Sequence, residues 1–312
     1  MEPERTQSPL SLRASRFVEA AEQDLSPLAG THIFEAAQRD RFAKLGIADQ
    51  TYVEWLGRML PYMLGAYATG PSPRILDFGC GTGELTVLMN ALGYRAYGID
   101  VHRRHLALAQ VLAGENHLPG GTFVRTGGPG LPFADASFDL INLHVVVEHL
   151  SDPVLDMILP ELARVCRGAV FITVPNRLQL VDDHTGLRFV PWMPRPVAEA
   201  YVRLRGSRYV YGISRDGSWD VWYRSFAQIG RLFARAGFRL EVPPDAVIFP
   251  PADSPAQRPL STYHEVSPSR LKRLVWRGIA AGIEWTAPRD APRQALYPYL
   301  NLVFVPKSAP PP

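Results

Sequence analysis

Cysteine is scarce in this chain and long apolar runs are missing, and each shortage narrows what it can be. Its two cysteines, Cys80 and Cys166, have no metal-site spacing. They read as reduced thiols of a cytoplasmic protein, not as a disulfide framework. No stretch approaches the roughly 18 uninterrupted apolar residues of a membrane span. The start of the chain, with Glu2, Glu4 and Arg5 and no apolar core, does not read as a signal peptide. Charge of one sign is not concentrated either. A formal net charge of +3 is mildly basic and diffuse, so no nucleic-acid partner is expected. Internal repeats are absent as well. What is abundant is apolar residues, 46% of 312, enough for one large α/β domain with additions or at most two domains. Much of the proline lies after residue 190, which points to long irregular connections in the second half.

The most informative run is Ile75-Leu76-Asp77-Phe78-Gly79-Cys80-Gly81-Thr82-Gly83-Glu84-Leu85-Thr86. Apolar residues and an Asp end a buried strand, three glycines at alternate positions turn the chain, and an apolar helical run follows. Glycines permit strained backbone angles and close approach of a ligand, and the new helix offers unpaired N–H groups. The dinucleotide fingerprint spaces its glycines differently, as G-x-G-x-x-G. Here an acid stands two residues before the first glycine, where it would repel a pyrophosphate and attract the ammonium of an amino-acid moiety such as that of S-adenosylmethionine. About 20 residues on, Tyr97-Gly98-Ile99-Asp100 reads as a second strand ending in an acid able to accept hydrogen bonds from ribose hydroxyls.

Strands and helices alternate around this run. Strands are expected over 74–78, 96–99, near 122–125, 137–143 and 169–174, with helices over 84–92, 105–112 and 154–166. Such alternation implies a parallel sheet with helices on both faces and ligands at the strand C-termini. The spacing of Tyr52, Trp55, Leu56, Met59, Leu60, Met63 and Leu64 predicts an amphipathic helix before the core, with a kink at Pro61. Residues 1–30 read as polar and loop-like. Ser225-Phe226-Ala227-Gln228 forms a capping-box pattern opening a helix to Ala236, which Gly237 stops. Strands are expected again over 238–242 and 300–305. Stretches 176–222 and 246–295 are too long for plain loops and are expected to cover the active-site edge.

The pair of acid-ended strands resembles motif I and the ribose-binding acid of class I S-adenosylmethionine-dependent methyltransferases. Leu131-Pro132-Phe133, then Asp135-Ala136-Ser137-Phe138-Asp139-Leu140-Ile141, is similar to the family's LPF-x-D-x-SFDLV segment. Val147-Glu148-His149-Leu150-Ser151-Asp152-Pro153 resembles its signature after the fourth strand, and 226–238 its late helix and sixth strand. The resemblance implies a Rossmann-like, doubly wound α/β fold with a seven-stranded sheet, mostly parallel with an antiparallel last strand. To this are added N-terminal helices over 1–72, a methyltransferase domain over 73–307 with a cap from the two insertions, and a Pro-rich tail over 308–312. It implies S-adenosylmethionine as cofactor, with Asp77, Gly79, Cys80, Gly81 and Gly83 around the methionine part, Asp100 on the ribose and Val101 beside the adenine. Many relatives place an Asp before LPF to meet the adenine amino group. This chain has Thr126-Gly127-Gly128-Pro129-Gly130 there, so Thr126, Gly127 or another backbone acceptor takes that place.

Methyl transfer from a sulfonium needs alignment and exclusion of water, and a general base only for acceptors such as a hydroxyl. A small molecule with a hydroxyl oxygen, of a glycan, lipid or secondary metabolite, is the expected acceptor. His184, within Asp182-Asp183-His184-Thr185-Gly186-Leu187 after Pro175-Asn176-Arg177, is the preferred base. His144, also at the cofactor edge, and His149 are the other candidates. Glu148 would share a face with His144 if that segment were helical; Glu148 and His149 also suit packing and capping of a helix start. Some relatives hold a divalent ion with E-x-x-E-H. Val145 replaces the first Glu here, so no metal is expected, although His184 could complete a site spatially. Arg195, Arg203, Arg205 and Arg208 form a basic run that suits a phosphate or a solvated helix face. Leu271, Leu274, Val275, Ile279 and Ile283 keep helical spacing opposite Arg270, Lys272, Arg273 and Arg277, which suits an anionic membrane surface, the sheet or a partner subunit. Rival readings are a nicotinamide oxidoreductase and a non-catalytic binding protein. The absence of an N-P-P-[YF]-type tetrad after strand four argues against amino-methylation of adenine.

Overall fold

Near-continuous apolar strands, most of them followed by a helix, build a three-layer α/β structure. This computed structural model describes residues 10–25, 32–47, 50–127, 130–205, 219–248 and 292–307, with scattered positions between 269 and 282. The helices α1 (Ser15–Leu25), α2 (His32–Lys44) and α3 (Thr51–Tyr67) precede β1 (Arg74–Phe78). Then follow α4 (Glu84–Ala91), β2 (Arg95–Asp100), α5 (Arg103–Glu115), β3 (Phe123–Arg125), β4 (Phe138–His144), α6 (Asp152–Val165) and β5 (Cys166–Pro175). After α7 (Arg195–Arg205) come α8 (Phe226–Arg235), β6 (Phe238–Glu241) and β7 (Tyr299–Pro306).

The seven strands form one sheet in the order β3-β2-β1-β4-β5-β7-β6. β1 pairs in parallel with β2 and β4, and β4 with β5; β7 runs antiparallel to β5 and β6. The sheet is therefore Rossmann-like and mostly parallel with an antiparallel last strand, as expected. Side chains alternate between faces. Ile75, Phe171 and Val303 join a core shared with α3, α4 and α5. Leu76, Ile172 and Leu302 join another under α6 and α8. The parallel strands all end on one edge, at Phe78, Asp100, His144 and Pro175.

Buried polar groups tie the opposite edge. Asp139, with no exposed surface, accepts two hydrogen bonds from the Arg167 guanidinium at 2.8 and 2.7 Å. It also accepts from the N–H groups of Thr69 and Arg74 at 3.2 and 2.8 Å. One carboxylate thus joins the entry to β1 with β4 and β5. Ser225 and Gln228 form both bonds of the capping box that starts α8.

The N-terminal expectation needs correction. Residues 15–25 are helical, not loop-like: α1 buries Phe17 and Ala21 completely and packs on α5. Glu115 of α5 caps it, accepting the N–H groups of Arg16 and Phe17 at 3.0 Å each. The polar residues that suggest a loop are the solvent face of an amphipathic helix. The helix α3 runs unbroken through Pro61. β5 starts at Cys166, directly after α6. No described helix is long and apolar enough to cross a membrane. Gly128 and Pro129, Arg208, most of 246–295 with Leu271, Lys272, Arg273, Val275, Ile279 and Ile283, and the tail 308–312 lie outside the described residues.

Candidate active site

The turn between β1 and α4 takes the shape its glycines allow. Gly79, Gly81 and Gly83 have φ of 72°, 54° and 88°, the left-handed region that L side chains rarely adopt. The reason differs between positions. A Cβ at Gly83 would come within 2.7 Å of both Ala109 and Phe123, so that glycine serves packing. A Cβ at Gly81 would meet nothing within 4 Å. The space over Gly81 is free for a ligand.

Two acids hold this turn. Asp100, 8% exposed, accepts the Gly81 N–H at 3.0 Å through Oδ2 and the His102 N–H at 2.7 Å through Oδ1. Asp77 is 2% exposed and accepts from Thr86 Oγ1 at 2.6 Å and Asn142 Nδ2 at 2.8 Å. Burial holds its carboxyl above the usual range in spite of those two bonds. Each carboxylate oxygen has a further lone pair, which is what either acid can offer a ligand. Cys80 is a free, buried thiol whose ionisation burial disfavours. Val101 is 52% exposed beside Asp100. Thr126 continues from β3 with its N–H on the Asp100 carbonyl at 3.2 Å, and Gly127 is exposed next to it. Over the start of α4, Arg41 of α2 pairs with Glu84 at 3.2 Å, both side chains 10% exposed. Thr82 donates to the same carboxylate. The N-terminal helices therefore close against the glycine turn.

The three candidate histidines do not form one group. His144, the last residue of β4, lies against α3, its ring centroid 5.9 Å from that of Tyr52 and 6.0 Å from Trp55. Burial, with Lys44 nearby, pushes it down to about 3, so it is neutral and a poor base. His144 and Glu148 share no helix: after β4 the chain passes Val145 at φ 58° into a short 3-10 turn, Val147–His149. That strained turn sends Glu148 and His149 toward the segment after β5. His149 and His184 meet there, ring centroids 5.2 Å apart and nearly perpendicular at 80°.

His184 is 9% exposed, and its Nδ1 lies 3.3 Å from Oδ1 of Asp182. Asp182 has no exposed surface; its carboxylate also accepts from the N–H of His184 and from the N–H and hydroxyl of Thr185. Burial alone would lower His184. The hydrogen bond and charge of Asp182, with Glu148 and Asp183 adding theirs, outweigh burial and raise it. Burial would raise Asp182, but His184 and the Thr185 hydroxyl outweigh it and hold the carboxyl below its usual range. Sequence reasoning quoted Asp182 but gave it no role; its signal was the acid two residues before a histidine, a spacing at which one turn lets the side chains meet.

Glu148 is the other unforeseen feature. It has no exposed surface, and neither carboxylate oxygen has a hydrogen-bond partner among the described residues. Burial raises its carboxyl, and His149 and His184 oppose that. A buried, unsatisfied carboxylate calls for a ligand. Glu148, His149 and His184 each offer one donor atom, all within 4.8 Å of one another. One carboxylate and two imidazoles suit a divalent cation such as zinc or manganese. Val145 in place of the first Glu of E-x-x-E-H hides this cluster from the sequence, because its three donors converge from two separated segments of the chain.

Residues 75–168 match a family model described as a methyltransferase domain. An uncharacterized methyltransferase of Synechocystis is 28% identical over 128 residues, 41% of this chain and 55% of that protein. An uncharacterized methyltransferase of Mycolicibacterium vanbaalenii is 34% identical over 120 residues, 38% of this chain and 44% of the other. A ubiquinone biosynthesis O-methyltransferase of Parvibaculum lavamentivorans is 28% identical over 171 residues, 54% of this chain and 59% of its own length. The chain spans about half the length of the curated relatives it matches.

Proposed function

We propose that this class I S-adenosylmethionine-dependent methyltransferase moves the methyl group of S-adenosylmethionine to a hydroxyl oxygen of a small-molecule acceptor beside His184. The cofactor, when bound, supplies a methyl already activated on a sulfonium. The residues present fit it: the space over Gly81 is open, and Asp77 and Asp100 flank the turn with lone pairs for an ammonium and a ribose. Val101 offers an exposed apolar surface for a base. Thr126 and Gly127 are the acceptors proposed for the adenine edge.

The observation that carries the acceptor reading is the buried pair of Asp182 and His184. With Nδ1 turned to Asp182, the pair favours the tautomer protonated there, leaving Nε2 to accept a proton. Loss of the hydroxyl proton to Nε2 leaves the electron pair on oxygen for attack on the methyl carbon. The positive imidazole that results is stabilised by Asp182. The burial of both residues excludes competing water. Arg41 and Glu84 lock the N-terminal helices over the cofactor turn, which supports the same exclusion.

A second reading has an observation of its own, the unsatisfied Glu148 carboxylate. Glu148, His149 and His184 would hold a divalent cation, and such a cation would polarise and orient an acceptor hydroxyl. A screen of hydroxylated acceptors with labelled methyl donor tests the first reading. Oxygen methylation lost in His184→Gln and retained in His144→Gln is the expected result; transfer to nitrogen or carbon, or full activity in His184→Gln, contradicts it. Metal analysis of the purified protein separates the second: a stoichiometric metal that disappears in Glu148→Ala favours it.

A further inference from the structure

We propose that the cap and α8 enclose a subsite for a phosphoryl group carried by the acceptor, a phosphate or diphosphate ester; the assignment to an acceptor rests on the methyltransferase reading. The site is a cavity of about 310 Å³ between the segment 219–224, α7 and the outer face of α8, a volume at the lower end of those that hold small molecules. Five arginines line it against one acid, Asp152. Three of the five are neutralised or committed. Arg224 donates through Nε and Nη2 to one oxygen of Asp152, at 3.0 and 2.7 Å, and also donates to the carbonyls of Val147 and Leu150. Arg195 pairs with Glu199 at 3.1 Å and stacks over the Trp222 ring, 4.2 Å from its centroid. Arg235 pairs with Asp156.

Arg177 and Arg231 have no carboxylate partner and no side-chain hydrogen bond among the described residues, and both line the cavity. Arg177 follows the end of β5, and Arg231 stands one turn into α8. Arg231 is exposed and Arg177 half-buried, and two guanidiniums with no carboxylate partner on one small cavity make it a positive site that favours an anion. A planar fork of N–H donors matches phosphate oxygens in pairs. Of the described residues of the basic run read from the sequence, Arg195, Arg203 and Arg205, only Arg195 lines this cavity. The two free charges come from elsewhere in the chain, brought together by the fold.

The wall of the cavity is tied to the proposed chemical centre. The Trp222 N–H donates to the Glu148 carbonyl at 2.7 Å, and Arg224 grips the Val147 carbonyl at 2.9 Å. Tyr223 lines the cavity and lies with its ring 6.5 Å from that of His184. A phosphoryl group anchored by Arg177 and Arg231 would leave the remainder of its molecule beside the histidines. Such an anchor supplies orientation without touching the reacting atoms.

Calorimetry of the full chain with sodium pyrophosphate tests this, with Arg177→Gln and Arg231→Gln as variants and Arg95→Gln as control. Among the described residues the Arg95 side chain donates to Ser72, at the strand edge opposite the site. Neither cavity variant breaks an ion pair, so unchanged melting is expected in both. Loss of one charge-assisted contact weakens pyrophosphate by about tenfold or more, and the control leaves it unchanged. No heat from pyrophosphate in the wild type, or equal affinity in all four proteins, overturns the subsite. S-adenosylmethionine titrated in parallel keeps the two claims apart: cofactor binding without pyrophosphate binding removes only the subsite, and the reverse removes only the methyltransferase reading. Uridine diphosphate and farnesyl diphosphate form two further arms. Tighter binding of the first marks a nucleotide-linked acceptor, of the second a prenyl-linked one, and equal binding leaves the phosphoryl group as the whole determinant.

Discussion

Replacing Asp182 by asparagine keeps the size of the side chain and removes its charge, so it isolates what the carboxylate does for His184. The two side chains are 3.3 Å apart and both are buried. A hydrogen bond to a charged group contributes about 1.5–3 kcal/mol, and about 1.4 kcal/mol corresponds to one pKa unit. The pKa of His184 is therefore expected to fall in Asp182→Asn, where the charge that raises it is gone. In the wild type burial lowers the imidazole, and the hydrogen bond and charge of Asp182 outweigh it and raise it above its ordinary value. Its stabilising share is fully present below the unfolded value and is lost as pH rises through the folded one. The variant should lose that share, so the stability gap between wild type and variant narrows as pH rises through the wild-type value. The assay is NMR of ring-labelled histidine from about pH 5 to 9, with His184→Gln assigning the signal, and it requires no knowledge of the acceptor. An unchanged titration in Asp182→Asn, with the variant folded, would refute the pairing. Once an acceptor is known, the acid limb of kcat/KM should shift down by the same amount and kcat at the plateau should fall.

The two inner glycines of the cofactor turn should separate binding from folding. Gly83→Ala places a methyl 2.7 Å from Ala109 and Phe123 at a strained φ, so a loss of about 1–3 kcal/mol is expected by thermal or denaturant unfolding. Gly81→Ala has free space around it, so backbone strain at φ 54° is its only cost to folding, about 1–2 kcal/mol; it should weaken S-adenosylmethionine by more than that strain accounts for. At the other edge, Arg167→Met leaves Asp139 buried without its charge partner and should cost about 3 kcal/mol. Asp139 is held below its usual value: burial opposes this, and the bonds from Arg167, Arg74 and Thr69 overcome it. Its contribution is present above the unfolded value near 3.8 and is lost as pH falls through the folded one. Acid titration of wild type against Asp139→Asn should show the difference between them vanish at low pH.

What was legible in the sequence was local. The turn from Asp77 to Gly83 announces itself because backbone strain there admits only glycine. The capping box at Ser225 is readable because both of its bonds span three residues. Alternation of strands and helices then implies a parallel sheet with helices on both faces. The rest depends on contacts between distant segments. Phe17 looks like a stray aromatic in a polar stretch until α5 is beside it. His144 is legible as the end of a central strand, but its ring contacts with Tyr52 and Trp55 of α3 are not. Glu148 and His149 meet His184 only because Val145 turns the chain at the end of β4 and the segment after β5 folds back. Arg177 and Arg231, 54 positions apart by number, carry no shared pattern at all.

The most direct test is calorimetry of the purified chain with S-adenosylmethionine and with its demethylated product, alongside Asp100→Ala. Binding of both ligands at one site per chain, weakened at least tenfold in the variant, is the expected result, since Asp100 holds the Gly81 N–H and faces the proposed ribose site. A folded protein that gives no heat with either ligand, or an Asp100→Ala variant that binds them as well as the wild type does, contradicts the account.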